Sequence, residues 1–174
     1  MAKGAGKGSA YERSIAKQLS LWWSDGRADD LFWRSSQSGG RATTRAKSGK
    51  TTANACGDLC AQSKEGQDLL DLFTIEIKRG YNTYSISDVI EGGTTGFNLF
   101  VKQAAKAASL AGTPYWLLIH KRDRRPALVF TNWQSVAAFG NVAGCIWMYQ
   151  MDDLLCPFTK GQILATKLDT LEVH

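Results

Sequence analysis

The chain has 174 residues, of which 44% are hydrophobic and 21% charged, so it can bury a core and has the composition of a soluble globular protein. No apolar run approaches the roughly 18 residues of a membrane span, and no apolar segment follows the N-terminal lysines, so we expect no membrane association and a cytoplasmic location. The net charge of +5 permits nucleic-acid binding, whereas four cysteines without a CxxC pair give a zinc site little support.

The N-terminal residues 1–8 are rich in glycine and lysine and predict a flexible basic arm, which one domain follows over residues 9–174. The motif S-x-x-E that ends at Glu12 fits a capping box and predicts a helix over residues 9 to about 24. Glu12 also continues the apolar stripe of this helix, which is formed by Ala16, Leu19 and Trp23. Two interpretations stay open for Glu12: a structural cap, or an acid in a site beneath the helix.

A strand is predicted at residues 31–35, and a long loop without apolar periodicity follows to about residue 55. No acid lies between Leu31 and Gly57, while the same segment carries the cations Arg34, Arg41, Arg45, Lys47 and Lys50. Long loops in compact domains are usually functional or disordered. The basic loop at residues 40–56 is therefore predicted either to clamp a phosphate backbone or to be a solvated, disordered segment.

The stretch from residue 73 to residue 79 alternates between apolar and polar side chains, which is typical of a β-strand. This alternation predicts that Glu76 and Lys78 emerge together on one face, in a strand that begins near residue 70. A shorter strand is predicted at residues 57–61, and a turn at residues 63–67 joins the two strands into a β-hairpin. The hairpin would bring Asp58 toward Glu76.

The second half of the chain predicts further elements of both kinds. They are a helix from about residue 97 to 111, strands at 115–120 and 127–130 on either side of a basic turn, a helix at 131–139 and a strand at 145–149. Gln103 on the first of these helices either reaches the site or is an ordinary surface glutamine. The C-terminal residues 151–174 are interpreted as a short helix or a partner contact. The order α-β-β-β-α-β-β-α-β predicts a mixed α/β sheet with helices against it.

The predicted juxtaposition of Asp58, Glu76 and Lys78 suggests metal-assisted chemistry. Two carboxylates and the main-chain carbonyl of Ile77 offer the oxygen ligands that Mg²⁺ prefers. A metal ion in this position would orient water and neutralise charge on a phosphate under attack. Lys78 would position or deprotonate that water, or stabilise negative charge in the transition state.

These residues resemble the motifs of the PD-(D/E)XK nuclease superfamily, whose restriction-endonuclease-like core has the order α-β-β-β-α-β. Over roughly residues 7–120, the motif residues occur in the order seen in archaeal-type Holliday junction resolvases and their phage relatives: Lys7-Gly8, Glu12-Arg13, Arg34, Ser38-Gly39, Asp58 and Glu76-Ile77-Lys78. The sequence departs from the family pattern at two places. Gly57 replaces the proline before the acid, and the stretch from residue 40 to 56 is longer than in the archaeal enzymes.

The resemblance implies a homodimeric endonuclease that uses Mg²⁺, with Mn²⁺ as a substitute, and cuts four-way or branched DNA. By the same resemblance, Glu12 joins the metal site, and Arg34 and Ser38 contact or orient the scissile phosphate. Two alternatives stay open. One is a phage or restriction-like endonuclease that acts on other DNA structures, and the other is a non-catalytic DNA-binding module on the same fold.

Overall fold

The computed structural model describes residues 5–35, 57–91, 96–135, 138 and 140–172. Its helices are α1 (Ala5–Trp23), α2 (Lys64–Leu70), α3 (Ser87–Ile90), α4 (Phe97–Ala111), α5 (Met151–Leu154) and α6 (Pro157–Glu172). Its strands are β1 (Phe32–Arg34), β2 (Leu59–Ala61), β3 (Phe73–Arg79), β4 (Tyr115–Lys121), β5 (Ala127–Thr131), β6 (Gly140–Ala143) and β7 (Ile146–Gln150). None of the helices described here combines the length and apolar character needed to cross a bilayer.

The central sheet has five strands in the order β3-β4-β5-β7-β6. β3 and β4 run parallel, with Phe73 opposite Tyr115 and Arg79 opposite Lys121. The other neighbouring strands are antiparallel, and β1 and β2 form a separate antiparallel pair. Because β3 is an edge strand, one row of its backbone N–H and C=O groups is left for partners outside the sheet.

Successive residues of β4 enter two different apolar clusters, since side chains of a strand point alternately to opposite faces. Leu117 and Ile119 belong to the cluster that also contains Ile15 and Leu19 of α1. Leu118 belongs to a second cluster with five residues of α4, namely Phe97, Phe100, Val101, Ala104 and Ala108. Helices therefore cover both faces of the sheet, and the predicted mixed α/β fold is confirmed.

The predicted β-hairpin between residues 57–61 and the strand containing Glu76 is wrong. The interval holds helix α2 instead of a turn, and the Ser63 side chain caps this helix by accepting a hydrogen bond from the Gly66 N–H at 3.1 Å. β2 pairs with β1 rather than with β3. The helix takes up residues that were assigned to the turn and to the start of the strand, so β3 begins at Phe73 rather than near residue 70.

Other predicted boundaries also change. Helix α1 begins at Ala5, so residues 5–8 of the predicted arm are helical and Ser9 lies inside the helix rather than at its cap. The predicted helix at residues 131–139 is wrong, because Thr131 ends β5 and the described residues 132–135 and 138 are not helical. Strand β6 was not predicted. The C-terminal segment forms α5 and α6.

Candidate active site

Strand β3 presents Glu76 and Lys78 on the face that packs against α4. Glu76 is 5% exposed, and its Oε2 accepts hydrogen bonds from Lys78 Nζ at 3.2 Å and from Gln103 Nε2 at 3.1 Å. Lys78 Nζ also lies 5.7 Å from the centre of the Phe100 ring. Glu76 and Lys78 therefore share one face, as the alternating pattern predicts, and Gln103 is the residue of α4 that holds the Glu76 carboxylate.

Asp58 binds the free edge of β3 without belonging to a strand. Its N–H donates to the Ile75 carbonyl at 2.8 Å, and its Oδ2 accepts the Ile77 N–H at 2.7 Å. Because the N–H and C=O of a strand residue point toward the same edge, the Ile77 carbonyl faces the side on which Asp58 lies. Asp58 therefore lies next to β3, as predicted. The contact is made by hydrogen bonds of the residue that precedes β2, and not by the pairing of two strands in a hairpin.

The residue before Asp58 has to be glycine for this approach. Gly57 has φ +93°, a backbone conformation that other residues rarely adopt. A Cβ at this position would lie 2.8 Å from the Ile75 carbonyl oxygen and 3.1 Å from the Thr74 side chain. The departure from the proline of the family pattern therefore has a local explanation: the chain passes close against β3, where only glycine leaves enough space.

The electrostatics of Asp58 are unusual for an aspartate. Burial, followed by the negative charge of Glu76, raises the pKa of the Asp58 carboxyl to about 7. The hydrogen bond from the Ile77 N–H and the positive charge of Lys78 lower the pKa, but by less, and the charge of Glu12 raises it slightly. A buried carboxyl whose ionisation is opposed by a neighbouring negative charge forms a site that a cation would stabilise.

Glu12 approaches from α1 and is paired with Arg34 of β1 in an ion pair. The Glu12 side chain is 13% exposed and that of Arg34 is 39% exposed, so Arg34 is on the solvent side of the pair. The interpretation of Glu12 as part of a capping box is wrong, because α1 begins seven residues earlier. The alternative, an acid in a site beneath the helix, agrees with its position.

One cleft of about 370 Å³, which we call the active-site cleft, is bordered by Glu12, Asp58 and Lys78. Glu76 lies beside it, hydrogen-bonded to Lys78. The lining of the cleft consists of Gly8, Glu12, Asp58, Ile77, Lys78, Arg79, Gly80, Tyr81 and Asp123. Tyr81 and Asp123 were not predicted from the sequence. Tyr81 lies two residues after the end of β3, a position that could have drawn attention to it. Asp123 lies in the turn between β4 and β5, and only the tertiary fold brings it to the cleft.

The donor atoms in and beside the cleft fit a hard divalent cation. The Asp58 and Glu76 carboxylates and the Ile77 carbonyl offer oxygen atoms as ligands, as Mg²⁺ and similar ions require. A cation would offset the burial and the nearby negative charge of Glu76, which together raise the pKa of Asp58. In the residues described, no group of three or more His, Cys, Asp or Glu side chains is close enough to form a complete set of metal ligands. A metal held here would therefore need backbone oxygen, water or substrate phosphate as further ligands.

Five of the predicted DNA-contacting residues lie outside the described residues and stay predictions: Ser38, Arg41, Arg45, Lys47 and Lys50. All of them belong to the stretch from residue 36 to residue 56. Arg34 is the predicted DNA-contacting residue that the structure does describe, and it adjoins the active-site cleft through Glu12.

Comparison with known proteins identifies one family. The model of a family described as "phage putative PDDEXK endonuclease" matches residues 3–145, which include Glu12, Asp58, Glu76 and Lys78. No curated protein and no solved structure matches the chain. The match covers most of the sequence, and the α/β fold and the acids gathered at the edge of β3 agree with a nuclease of this type. The chain belongs to this family of phage PD-(D/E)XK endonucleases.

Proposed function

We propose that this nuclease is a Mg²⁺-dependent DNA endonuclease that resolves four-way or branched DNA, as a Holliday junction resolvase does. The observation that carries the proposal is the arrangement of Asp58, Glu76 and Lys78 at the edge of β3, beside a cleft open to solvent. The preference for a junction is supported by the resemblance of the motif order to junction resolvases. The net charge of +5 favours a phosphate-rich substrate of either kind.

The metal-binding residues in this proposal are Asp58, Glu76 and the carbonyl of Ile77, with Mn²⁺ able to substitute for Mg²⁺. When bound, the ion would supply an activated water and neutralise charge on the phosphate. Glu12 becomes available as a further oxygen ligand when Arg34 leaves it to contact DNA.

The remaining groups act on the phosphate and the water. Lys78 Nζ, held beside Glu76 at 3.2 Å, is placed to donate a hydrogen bond to the attacking water or to a phosphate oxygen as negative charge develops. Arg34 has a planar guanidinium suited to binding two phosphate oxygens. Gln103 holds the Glu76 carboxylate in position through its hydrogen bond of 3.1 Å. Ser38 and the basic loop at residues 40–56 are proposed to contact the DNA backbone near the cut.

The proposal is tested with a synthetic four-way junction and a linear duplex that has the same arm sequences. With Mg²⁺ the protein should cut the junction at symmetrical positions across the crossover and leave the duplex largely intact. Asp58→Asn and Glu76→Gln should abolish cleavage and retain junction binding, since both remove a charged ligand without removing the side chain. Asp152→Asn, which neutralises an exposed acid of α5 outside the cleft lining, is the matched control and should cut normally.

Three outcomes separate the alternatives. Equal cutting of both substrates would reject junction resolution and favour a phage or restriction-like endonuclease of broader substrate range. Binding without cleavage under any divalent metal would favour a non-catalytic DNA-binding module. Cleavage that persists in both Asp58→Asn and Glu76→Gln would refute the proposed active site.

A symmetrical pair of cuts requires two active sites, which is the physical reason to propose a homodimer. Each subunit would then cut one strand of the junction, in the cytoplasm where the DNA substrate is found. Light scattering on the purified protein should give twice the chain mass of 19.1 kDa. A monomer that still makes paired cuts at low concentration would contradict this assembly.

A further inference from the structure

One aromatic ring stands exposed at the mouth of the active-site cleft. Tyr81 lies two residues after β3, lines the cleft together with Lys78 and is 49% exposed. One part of its ring packs edge-on against Phe100, with centroids 4.7 Å apart, and Tyr84 lies 5.5 Å away. The ring is therefore supported from one side while about half of the residue remains accessible.

The backbone fixes Tyr81 in an uncommon conformation. Its φ of +54° is left-handed, a conformation that non-glycine residues rarely adopt and that clusters at functional sites as well as in turns. On one side, the Gly80 carbonyl accepts a hydrogen bond from His120 Nε2 at 3.2 Å. On the other, Asn82 exchanges two hydrogen bonds with Asp123, at 3.2 and 2.8 Å. Hydrogen bonds to both neighbours therefore anchor the backbone that carries the exposed ring.

The turn that Asn82 holds is the basic turn between β4 and β5, which the proposed catalytic mechanism does not use. It carries the exposed cations Arg124 and Arg125 next to Asp123, a residue of the cleft lining. Within the described part of the chain, neither arginine forms an ion pair with an acidic side chain. Arg124 also has a left-handed φ, of +58°. The turn that Asn82 holds therefore carries positive charge directly after a residue of the cleft lining.

We propose that Tyr81, Arg124 and Arg125 form a nucleotide-binding rim of the cleft, on which an unpaired base next to the scissile phosphate stacks. An accessible aromatic ring combined with cations is how proteins bind single-stranded nucleic acid without reading its sequence. A base inside a duplex has both faces covered by its neighbours, whereas a branch point offers bases that unstack at low cost. This rim rests on the proposed function and gives it a physical basis for preferring branched DNA.

Photocrosslinking and binding in EDTA test the rim without any need for cleavage. The probe is a four-way junction with 5-iodouracil at the branch point, compared with a linear duplex that carries the same substitution. The crosslink should map to the peptide containing Tyr81, should be lost in Tyr81→Ala and should persist in Tyr81→Phe, which keeps the ring. Tyr81→Ala should also weaken junction binding about tenfold, as the loss of one stacked base does.

The arginines are tested by the salt dependence of binding. The double variant Arg124→Ala/Arg125→Ala should weaken binding to junction and duplex alike, and should reduce the slope of log affinity against log salt by about two, since each phosphate contact contributes roughly 0.9. Lys64→Ala on α2 removes an exposed cation outside the cleft lining and should reduce the slope less. Phe158→Ala on α6, where the ring is 59% exposed, controls for the loss of an accessible aromatic.

The outcomes separate this inference from the proposed function. The nucleotide-binding rim would be refuted if Tyr81→Ala crosslinked at the wild-type level, or if the crosslink mapped to another peptide. Either result would leave the proposal of junction cleavage standing. If the double arginine variant leaves the slope of log affinity against log salt unchanged, Arg124 and Arg125 are not part of the nucleotide-binding rim. A Tyr81 crosslink in a protein that cuts no junction would support the rim and reject the proposed function.

Discussion

At the residue scale, two opposing effects act on the charge of the Asp58 carboxyl. The side chain accepts the Ile77 N–H, which favours the charged carboxylate, while burial beside Glu76 disfavours that charge and dominates. The result is a carboxyl with a pKa of about 7 in the folded protein, compared with an ordinary value of 3.8. A bound cation would reverse this balance, so the same residue should link stability, pH and metal binding.

Stability without metal should therefore depend on pH through Asp58. Below the unfolded-state pKa near 3.8 both states bind the proton. As pH rises, the unfolded state loses its proton first, so folding stability falls progressively up to about pH 7 and then levels off. In Asp58→Asn this contribution is absent. Urea unfolding in EDTA should show the variant gaining stability relative to wild type between pH 5 and pH 8.

Comparing the two proteins isolates Asp58 from other titrating groups such as Asp25 and Asp29, which are unchanged in the variant. A stability difference that is the same at pH 5 and pH 8 would contradict the raised pKa. Addition of Mg²⁺ at pH 8 should stabilise the wild type more than Asp58→Asn, because the ion binds the folded wild-type carboxylate.

At the scale of elements, the site depends on how an edge strand is completed. β3 has β4 on one side, and on the other side the backbone and side chain of Asp58 occupy hydrogen-bonding positions that a neighbouring strand would fill. Helix α2 allows this arrangement, because it separates β2 from β3 in sequence and lets β2 pair with β1. The close approach then depends on the glycine that precedes the aspartate.

Gly57→Ala should destabilise the protein more than its backbone conformation alone explains. Gly112, which ends α4 at φ +76°, is a matched control because a Cβ there would contact nothing within 4 Å. We expect Gly112→Ala to cost about 1 kcal/mol. Gly57→Ala should cost about 1–3 kcal/mol more, because its Cβ would lie 2.8 Å from the Ile75 oxygen and the chain must move away.

Urea unfolding measures both glycine variants, and cleavage of the junction gives a second readout. Gly57→Ala should also reduce cleavage under conditions where it remains folded, because Asp58 is displaced from β3, whereas Gly112→Ala should cut at the wild-type rate. Equal stability losses in the two variants would show that the contact with Ile75 is unimportant.

At the scale of the whole molecule, the sheet separates two apolar clusters, and each cluster holds a helix that contributes to the site. The cluster with α1 fixes the helix that carries Glu12, and the cluster with α4 fixes the helix that carries Gln103. Glu76 therefore lies where a helix of the second cluster meets the edge strand, while Asp58 and Glu12 lie nearer the first. Weakening of either cluster should loosen the acids relative to one another.

Leu118→Ala tests the structural role of the second cluster. Leu118 is completely buried in β4, so truncation should cost about 2–5 kcal/mol through lost burial and the cavity left behind. Leu168→Ala on α6 is the matched control, because that side chain belongs to a residue 63% exposed and the same truncation should change stability by about 0.5 kcal/mol or less. Thermal or urea unfolding distinguishes them, and similar losses would contradict the assignment of the core.

The sequence determined the elements whose pattern is local. The alternation at residues 73–79 predicted β3 and the shared face of Glu76 and Lys78, because a strand projects every second side chain to the same side. Motif order predicted the nuclease superfamily, and the family match supports it. The turn at residues 63–67 was mispredicted because a helix of seven residues is too short to show a clear apolar period, so its Ser63 cap was the main local signal.

Only the tertiary structure decided which distant groups meet. Asp58 reaches β3 through backbone contacts that a single glycine permits, and no local pattern encodes a contact across 19 residues. Gln103 was ambiguous in the sequence because a helix surface shows spacing but not what lies opposite. Tyr81 lies near the basic turn because β3 pairs in parallel with β4, which brings the C-terminal ends of both strands together. Local periodicity fixes the face of a side chain, whereas long-range pairing decides its neighbours.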